Sequence, residues 1–531
     1  MDSSRRPVPR SGENDSVLSA GPALLFAARS SGVEQVVVFN LCSSLFLPAA
    51  GNFNGTSYNN GGSNGNYWSS TLNSSTNGRN LNFNSGNVNP QNNNNRYNGF
   101  SVRAVRAVSA LTTHRLYAEN GRRTIFFFLY IMVYHLTREQ LLADLHEAYY
   151  CARRNKRHKA YQWHFERRLE RNLVSLRDEL WQRSYRARPS TAFIITDPKQ
   201  REVFAAAFRD RIVHHLYYNY THQMLERTFI HDTYSCIERR GTHYGTDRLR
   251  RHIESESRGY QRRCWVLQMD IRGYFMHIDR RRLLAITTES LRRMARHRAD
   301  GMDGKRWEER VDMDFVEWLT REIVMLDPTD RCHIHGSRRD WEGLPHDKSL
   351  YHTAPGCGLP IGNLTSQLFS NVYLNVLDQY MKRSLHCRHY GRYVDDFYVV
   401  SADREWLHSL IPQVKRFLAG KLALGVSDEK TRVSDASRGV EFLGAYLKPR
   451  RTYPSRGCLR RMTGKLDALQ RLADEGTVER SGLAASLNSF LGVLSHYDCH
   501  DLRMRMFLDD HDFSVYGCFD TGLRHFLPGA G

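Results

Sequence analysis

The stretch Gly391-Arg392-Tyr393-Val394-Asp395-Asp396-Phe397-Tyr398-Val399-Val400-Ser401 decides the reading of this 531-residue chain. Apolar and aromatic residues flank two acidic ones, the pattern of a strand, a tight turn and a second strand. Adjacent carboxylates repel, and apolar flanks make their desolvation costly unless cations offset the charge. Mg2+ is a hard ion that takes carboxylate oxygens and keeps positions open for substrate phosphates. A third carboxylate, Asp270, closes another strand-like run, CWVLQMDIRGYF (264–275). A lone acidic pair is ordinarily a solvated turn. Set in a hairpin, with an upstream strand ending in Asp, it suggests a two-metal phosphoryl-transfer site.

That constellation resembles the palm of reverse transcriptases. DIRGYF (270–275) resembles the first palm motif and YVDD (393–396) the catalytic hairpin, 125 positions apart from Asp to Asp. Between them GCGLPIGNLTSQLFSNVYLNVLDQYMK (356–382) resembles the third motif, a loop leading into a helix. Within it Ile361-Gly362-Asn363-Leu364-Thr365-Ser366-Gln367 is similar to the segment typical of diversity-generating retroelement enzymes. Group II intron and retron enzymes commonly end that segment in Ser-Pro. Gln367 replaces a rigid proline by a flexible amide with two donors and an acceptor.

The resemblance implies an α+β right-hand polymerase, with an N-terminal extension and fingers at 132–262, palm at 263–446 and thumb at 447–531. It implies RNA-templated DNA synthesis with deoxynucleoside triphosphates and two Mg2+ ions, Mn2+ being a possible substitute. Asp270, Asp395 and Asp396 would be catalytic carboxylates and metal ligands, joined by the backbone carbonyl of Ile271. Phe275 stands where the family sets a bulky side chain against the sugar, where a ring would collide with a 2′-hydroxyl. FIITDPKQREVFAAAFRDRIVHHLY (193–217) resembles the fingers motifs. There Lys199 and Arg201 are candidates for the triphosphate, since Arg offers a planar fork and Lys a point charge. Arg209 and Arg211 have Asp210 and Glu202 as alternative partners within the fingers.

LALGVSDEKT (422–431) resembles the fourth palm motif, making Lys430 a candidate general acid for the departing pyrophosphate. Gln367 joins the nucleotide-contacting set. Ile361, Gly362, Ser366 and Tyr393 are expected at the template and primer, as are Phe442, Leu443 and Gly444 of GVEFLGAYL (439–447). Two helices should follow. Leu459, Met462, Leu466, Leu469 and Leu472 form one apolar stripe, and Leu483, Leu487, Phe490, Leu491 and Leu494 another. Gly476 separates them, and Arg460, Arg461, Lys465 and Arg471 can face a duplex.

Composition agrees. Lys and Arg number 76 against 56 Asp and Glu, a formal charge of +20 that attracts polyanions. Ten scattered cysteines without a CxxC point to a reducing cytosol rather than a disulfide scaffold. Cys332, His333 and His335 form a small group of soft ligands too sparse for a zinc site. Upstream of the fingers, Arg153, Arg154, Lys156, Arg157 and Lys159 precede a helical stripe at Phe165, Leu169, Leu173, Leu176 and Leu180. This basic stretch resembles the RNA-gripping extension of group II intron-related enzymes.

Residues 1–131 differ in character. Eighteen of residues 51–100 are asparagine, a composition of loops or disorder. Yet LFLPAAG (45–51), NYWSST (66–71), LNFNSGNVNP (81–90) and YNGFSVRAVRAV (97–108) resemble the end of a C-type-lectin-like variable protein. That fragment is not expected to fold independently. Asn codons begin with two adenines, and miscopying those adenines yields most amino acids and no stop codon. The segment therefore reads as a translated template repeat, the alternative being an Asn-rich surface domain, with a genuine start expected near Met132. The apolar run IFFFLYIMVY (125–134) is shorter than the roughly 20 residues a membrane span needs.

The resemblance also implies a template-repeat RNA, a primer extended into adenine-mutagenised cDNA, and a small basic helical accessory protein. It implies a cytoplasmic protein of bacterial or phage origin. The alternatives are a group II intron or retron enzyme, and a catalytically idle RNA-binding scaffold.

Overall fold

The structure, a computed structural model, describes residues 134–529 apart from 155–158, 198 and 300–303, together with the backbone of strands between residues 24 and 95. The chain divides into an N-terminal unit and a larger unit holding nearly everything from residue 131 onward. In the first, the strands Gly65–Leu72, Asn77–Asn84 and Asn87–Asn95 form an antiparallel sheet in that order. Composition argued for loops here. The local pattern accounts for the difference, because Leu81 and Phe83 alternate with Asn80, Asn82 and Asn84 at the period of a strand.

The larger unit is α+β and is organised by one antiparallel sheet. Its strands, in spatial order, are His389–Tyr393, Asp396–Ser401, Trp265–Met269 and Arg432–Asp435. Successive strand side chains point to opposite faces, and here both faces are covered. Leu267, Met269, Phe397 and Val399 enter the main core, with the helices Phe208–Glu226, Arg280–Ala295, Met313–Val324 and Leu364–Gln379. Val266, Tyr398 and Val400 enter a second core with Leu249 and Ile253 of the helix Thr242–Glu256. Burial on both faces is why these strands read as continuous apolar runs.

A smaller sheet, Cys332–Ile334, Ser190–Ile195 and Arg201–Ala205 in spatial order, flanks this core. The segment 332–358 is fastened to it by Glu202, a buried carboxylate that accepts from Trp341 Nε1 (2.7 Å), Ser349 Oγ (2.8 Å) and the Leu350 amide (2.6 Å). Glu202 is therefore no partner of Arg211, which instead lies over the Tyr161 ring. Arg209 pairs with Asp210 and Glu179.

Helices Arg138–Arg153, Ala160–Glu166 and Leu169–Trp181 precede this sheet, and Leu173, Leu176 and Leu180 are buried in the main core. Lys156 and Arg157 lie outside the described residues. After the central sheet, Val440–Phe442, Ala445–Lys448 and Arg451–Pro454 form a meander. Leu443 (φ +49°) and Gly444 (φ +82°) make its first two-residue turn, the left-handed pair such hairpins favour. The helices Arg456–Asp474 and Arg480–Leu494 follow, sharing a core of Met462, Leu466, Leu483, Leu487, Leu491 and Leu494. Gly476 (φ +63°) stops the first helix. Leu472 departs from the expected stripe: it is 45% exposed. Among the described residues no helix is long and apolar enough to cross a membrane, and no three His, Cys, Asp or Glu side chains are already gathered as metal ligands, Cys332, His333 and His335 included.

Candidate active site

The site is built on neighbouring strand ends. Tyr393 and Asp396 are paired across the hairpin, which leaves Val394 and Asp395 as its two-residue turn. Met269 pairs with Phe397, so Asp270 leaves its strand beside Asp396. Three carboxylates thus meet at one edge of the sheet. Asp270 is buried, Asp395 half-buried, and Asp396 keeps an exposed face.

Crowding by protein, then the charges of Asp270 and Asp396, push the Asp395 carboxyl up to about 7. Asp396 is raised to about 6, first by desolvation and then by Asp270, to which it hydrogen-bonds. Cations answer this excess. Lys430 Nζ bonds Asp270 Oδ2. Burial works against the Lys430 charge, but the bond to Asp270 and the fields of all three carboxylates hold its pKa above the usual lysine value. Lys199, exposed on the loop after Ser190–Ile195, also draws the Asp396 pKa downward.

A set of three clustered carboxylates, two of them with raised pKa values, is hard, anionic and under-compensated, and that fits divalent Mg2+ or Mn2+. Asp270, Asp395 and Asp396 would hold such ions, with Lys430 displaced from Asp270. Ile271 is buried and bridges Val426 in antiparallel fashion.

Phe275 is half-buried against Tyr274, whose own hydroxyl donates to the Ser370 carbonyl at 2.7 Å. The Ile361–Asn363 segment lies along the strand Arg201–Ala205. The Phe204 amide donates to the Ile361 carbonyl (3.0 Å) and the Ala206 amide to Asn363 Oδ1 (3.2 Å). Gly362 has φ +116°, and a Cβ there would stand 2.8 Å from Val203, so only glycine permits this approach. Thr365 and Ser366 are buried, and Thr365 bonds His214 Nδ1 at 2.7 Å. Burial lowers the His214 pKa to about 4, so the ring is neutral.

Gln367 is exposed, as is Arg201, and Tyr393 is half-buried. Phe442, by contrast, is buried edge-on against Tyr398 and supports the turn rather than reaching outward. Lys465 does not stand free for a duplex: it pairs with Asp197 at 2.7 Å. Arg460, Arg461 and Arg471 are exposed.

Sequence reading missed the polar support beneath the hairpin. Arg392 and Asp378, both 0% exposed, form a two-pronged pair at 2.8 and 2.6 Å. Ser235 and Asn371, also buried, complete it. The available signal was Arg392 itself, a cation set among apolar strand residues, where it must have a buried partner.

An α+β fold with carboxylates at adjacent antiparallel strand ends, flanked by lysines, defines the class as a nucleotidyltransferase of polymerase type. Residues 332–447 match the family described as reverse transcriptase (RNA-dependent DNA polymerase). The matched stretch supports RNA-directed DNA polymerase as the enzyme class. The matched residues include Asp395, Asp396 and Lys430, while Asp270 lies upstream of them.

Protein YkfC of Escherichia coli (strain K12) is 24% identical over 319 residues, covering 54% of this chain and 73% of the relative. Among solved structures, apo telomerase from Candida tropicalis is similar with a TM-score of 0.37 and 10% identity, over 60% of this chain and 56% of that one. Telomerase from Candida albicans in complex with a fragment of telomeric RNA gives 0.35 and 11%, over 61% and 59%. The chain spans a little over half the length of these telomerases.

Proposed function

We propose that this protein copies an RNA template into DNA as the reverse transcriptase of a diversity-generating retroelement, with fingers at 132–262, palm at 263–446 and thumb at 447–531. The observation that carries the polymerase reading is the meeting of Asp270, Asp395 and Asp396 at one sheet edge, with Lys430 and Lys199 beside them. When bound, two divalent ions would supply Lewis acidity and charge neutralisation for attack by a primer 3′-hydroxyl. The chain's own residues then divide the work. The three carboxylates hold the cations. Lys199 and Arg201 meet the triphosphate, and Lys430 protonates the departing pyrophosphate. The Phe275 ring closes the space a 2′-hydroxyl would need.

The diversity-generating assignment rests on the segment ending Thr365-Ser366-Gln367. The exposed position of Gln367 supports it, because a solvent-facing amide is available to the nascent pair. On this reading the partners are a template-repeat RNA, a primer, deoxynucleoside triphosphates and a small basic accessory protein, in a bacterial or phage-infected cytoplasm. Primer extension on an adenine-rich RNA, followed by sequencing of the cDNA, tests both parts. Extension with errors concentrated opposite template adenine is expected. Errors spread evenly over the four bases would leave a polymerase of the group II intron or retron kind, and absence of extension would leave an RNA-binding scaffold.

A further inference from the structure

We propose that Arg392, Asp378, Ser235 and Asn371 form a buried clamp that sets the position of Asp395, and so are positioning residues for the metal-binding hairpin. The inference rests on the carboxylates binding divalent cations. It begins with Val394, whose φ of +54° lies in the left-handed region that a β-branched side chain rarely adopts. Two-residue hairpin turns reach such angles readily with Asn-Gly or Asp-Gly. Here the turn is Val-Asp, so something other than local preference must hold it.

Both polar groups of Val394 are held by side chains, one from Ser235 far upstream and one from Arg392 in the preceding strand of the same hairpin. Its amide donates to Ser235 Oγ at 3.1 Å, and its carbonyl accepts from Arg392 Nη1 at 2.9 Å. The peptide joining Val394 to Asp395 is therefore held by a side chain, not by the backbone ladder of the hairpin. The holders are themselves held. Arg392 Nε and Nη2 donate to the two Asp378 oxygens, and Nη1 reaches Asn371 Oδ1 at 3.3 Å. Asp378 also accepts from the Tyr390 hydroxyl (2.6 Å) and Thr233 Oγ1 (3.2 Å). Asn371 accepts from Ser235 Oγ (3.2 Å) and donates to the Ser235 carbonyl (2.8 Å). One helix, Leu364–Gln379, supplies both Asn371 and Asp378, so the Asp395 backbone is referenced to the element that also carries Gln367.

Stability alone is a poor reason for this arrangement, since a fully buried ion pair is often replaceable by apolar residues without loss. A strained backbone persists where its surroundings over-determine it, and such places cluster at functional sites. Outer-shell groups that orient metal ligands commonly change affinity about 10- to 100-fold when removed.

The test measures Mn2+ binding to the full chain from the resonance of free Mn2+, alongside the Mg2+ dependence of primer extension and the melting temperature. Ser235→Ala removes the acceptor for the Val394 amide with little change in volume. The double variant Arg392→Met with Asp378→Leu keeps the interior filled without the clamp. Both should weaken Mn2+ binding about 10- to 100-fold, with a parallel rise in the Mg2+ needed for extension. Should the double variant fail to fold, Ser235→Ala alone decides. Mn2+ affinity within twofold of the parent protein in every folded variant would overturn the clamp, as would parent affinity indifferent to Asp395→Asn. Asp395-dependent Mn2+ binding weakened by Ser235→Ala, without primer extension by the parent protein, would instead refute the polymerase reading and leave the clamp standing.

Discussion

Asp395→Asn should make the metal-free protein more stable while ending its catalysis. The Asp395 carboxyl stands at about 7 in the fold, against about 3.9 in an unfolded chain. At about 1.4 kcal/mol per unit, ionising it costs the fold at most roughly 4 kcal/mol. Asp270 and Asp396 share the same charge excess, so that figure is the ceiling for Asp395 alone. The sign follows from the raised value. Stability is fully present below about pH 4 and is lost as pH climbs through about 7.

Asn keeps the shape and lacks the charge, so the variant loses only what the titration of Asp396 still costs. Urea unfolding with chelator present, repeated from pH 5 to 8.5, measures the gap between the two proteins. That gap should widen towards high pH, by at most roughly 3 kcal/mol between about pH 5 and 8.5. Added Mg2+ should then stabilise the parent by mass action and leave the variant nearly unchanged. Primer extension by the variant should be lost, since the ligand has lost its charge. A variant less stable than the parent at pH 8, or a gap independent of pH, would refute the electrostatic reasoning; retained extension would refute the role of Asp395.

Phe275→Ala should admit ribonucleotides, seen as a rise of at least tenfold in ribonucleotide incorporation relative to deoxyribonucleotide; unchanged selectivity would make the ring packing only. Gln367→Pro should alter the error spectrum opposite template adenine more than it alters turnover, as cDNA sequencing and extension rates would show. Glu202→Ala should destabilise the protein by about 2–4 kcal/mol in urea unfolding, because Trp341 Nε1, Ser349 Oγ and the Leu350 amide lose their acceptor.

Much of the local architecture was legible. The alternation around Asp395 and Asp396 marks a hairpin, and the run ending at Asp270 marks the strand that lies beside it. The glycine and leucine spacing from 456 to 494 marks two helices and the stop between them. These readings work because period and turn chemistry are properties of neighbouring residues. Leu472 shows where they weaken: a stripe says which residues share a helix face, and the packing partner decides how much of that face is covered. The asparagine segment shows the same limit for composition, which suggested loops where the alternation of Leu81 and Phe83 favours strands.

The chain alone determined the kinds of group available: three acidic strand ends, a basic balance, and an amide in place of proline at Gln367. Pairing was decided only in three dimensions. Arg392 stands among apolar strand residues and so demands a buried partner, but only the fold names that partner as Asp378. Glu202 reads as a partner for Arg209 or Arg211 and serves instead as the anchor for residues more than 130 positions away. Lys465 reads as a duplex-facing cation and pairs with Asp197. The worth of a charge depends on its desolvation and on which partner lies within a few ångströms, and both are set by chain segments that meet only after folding.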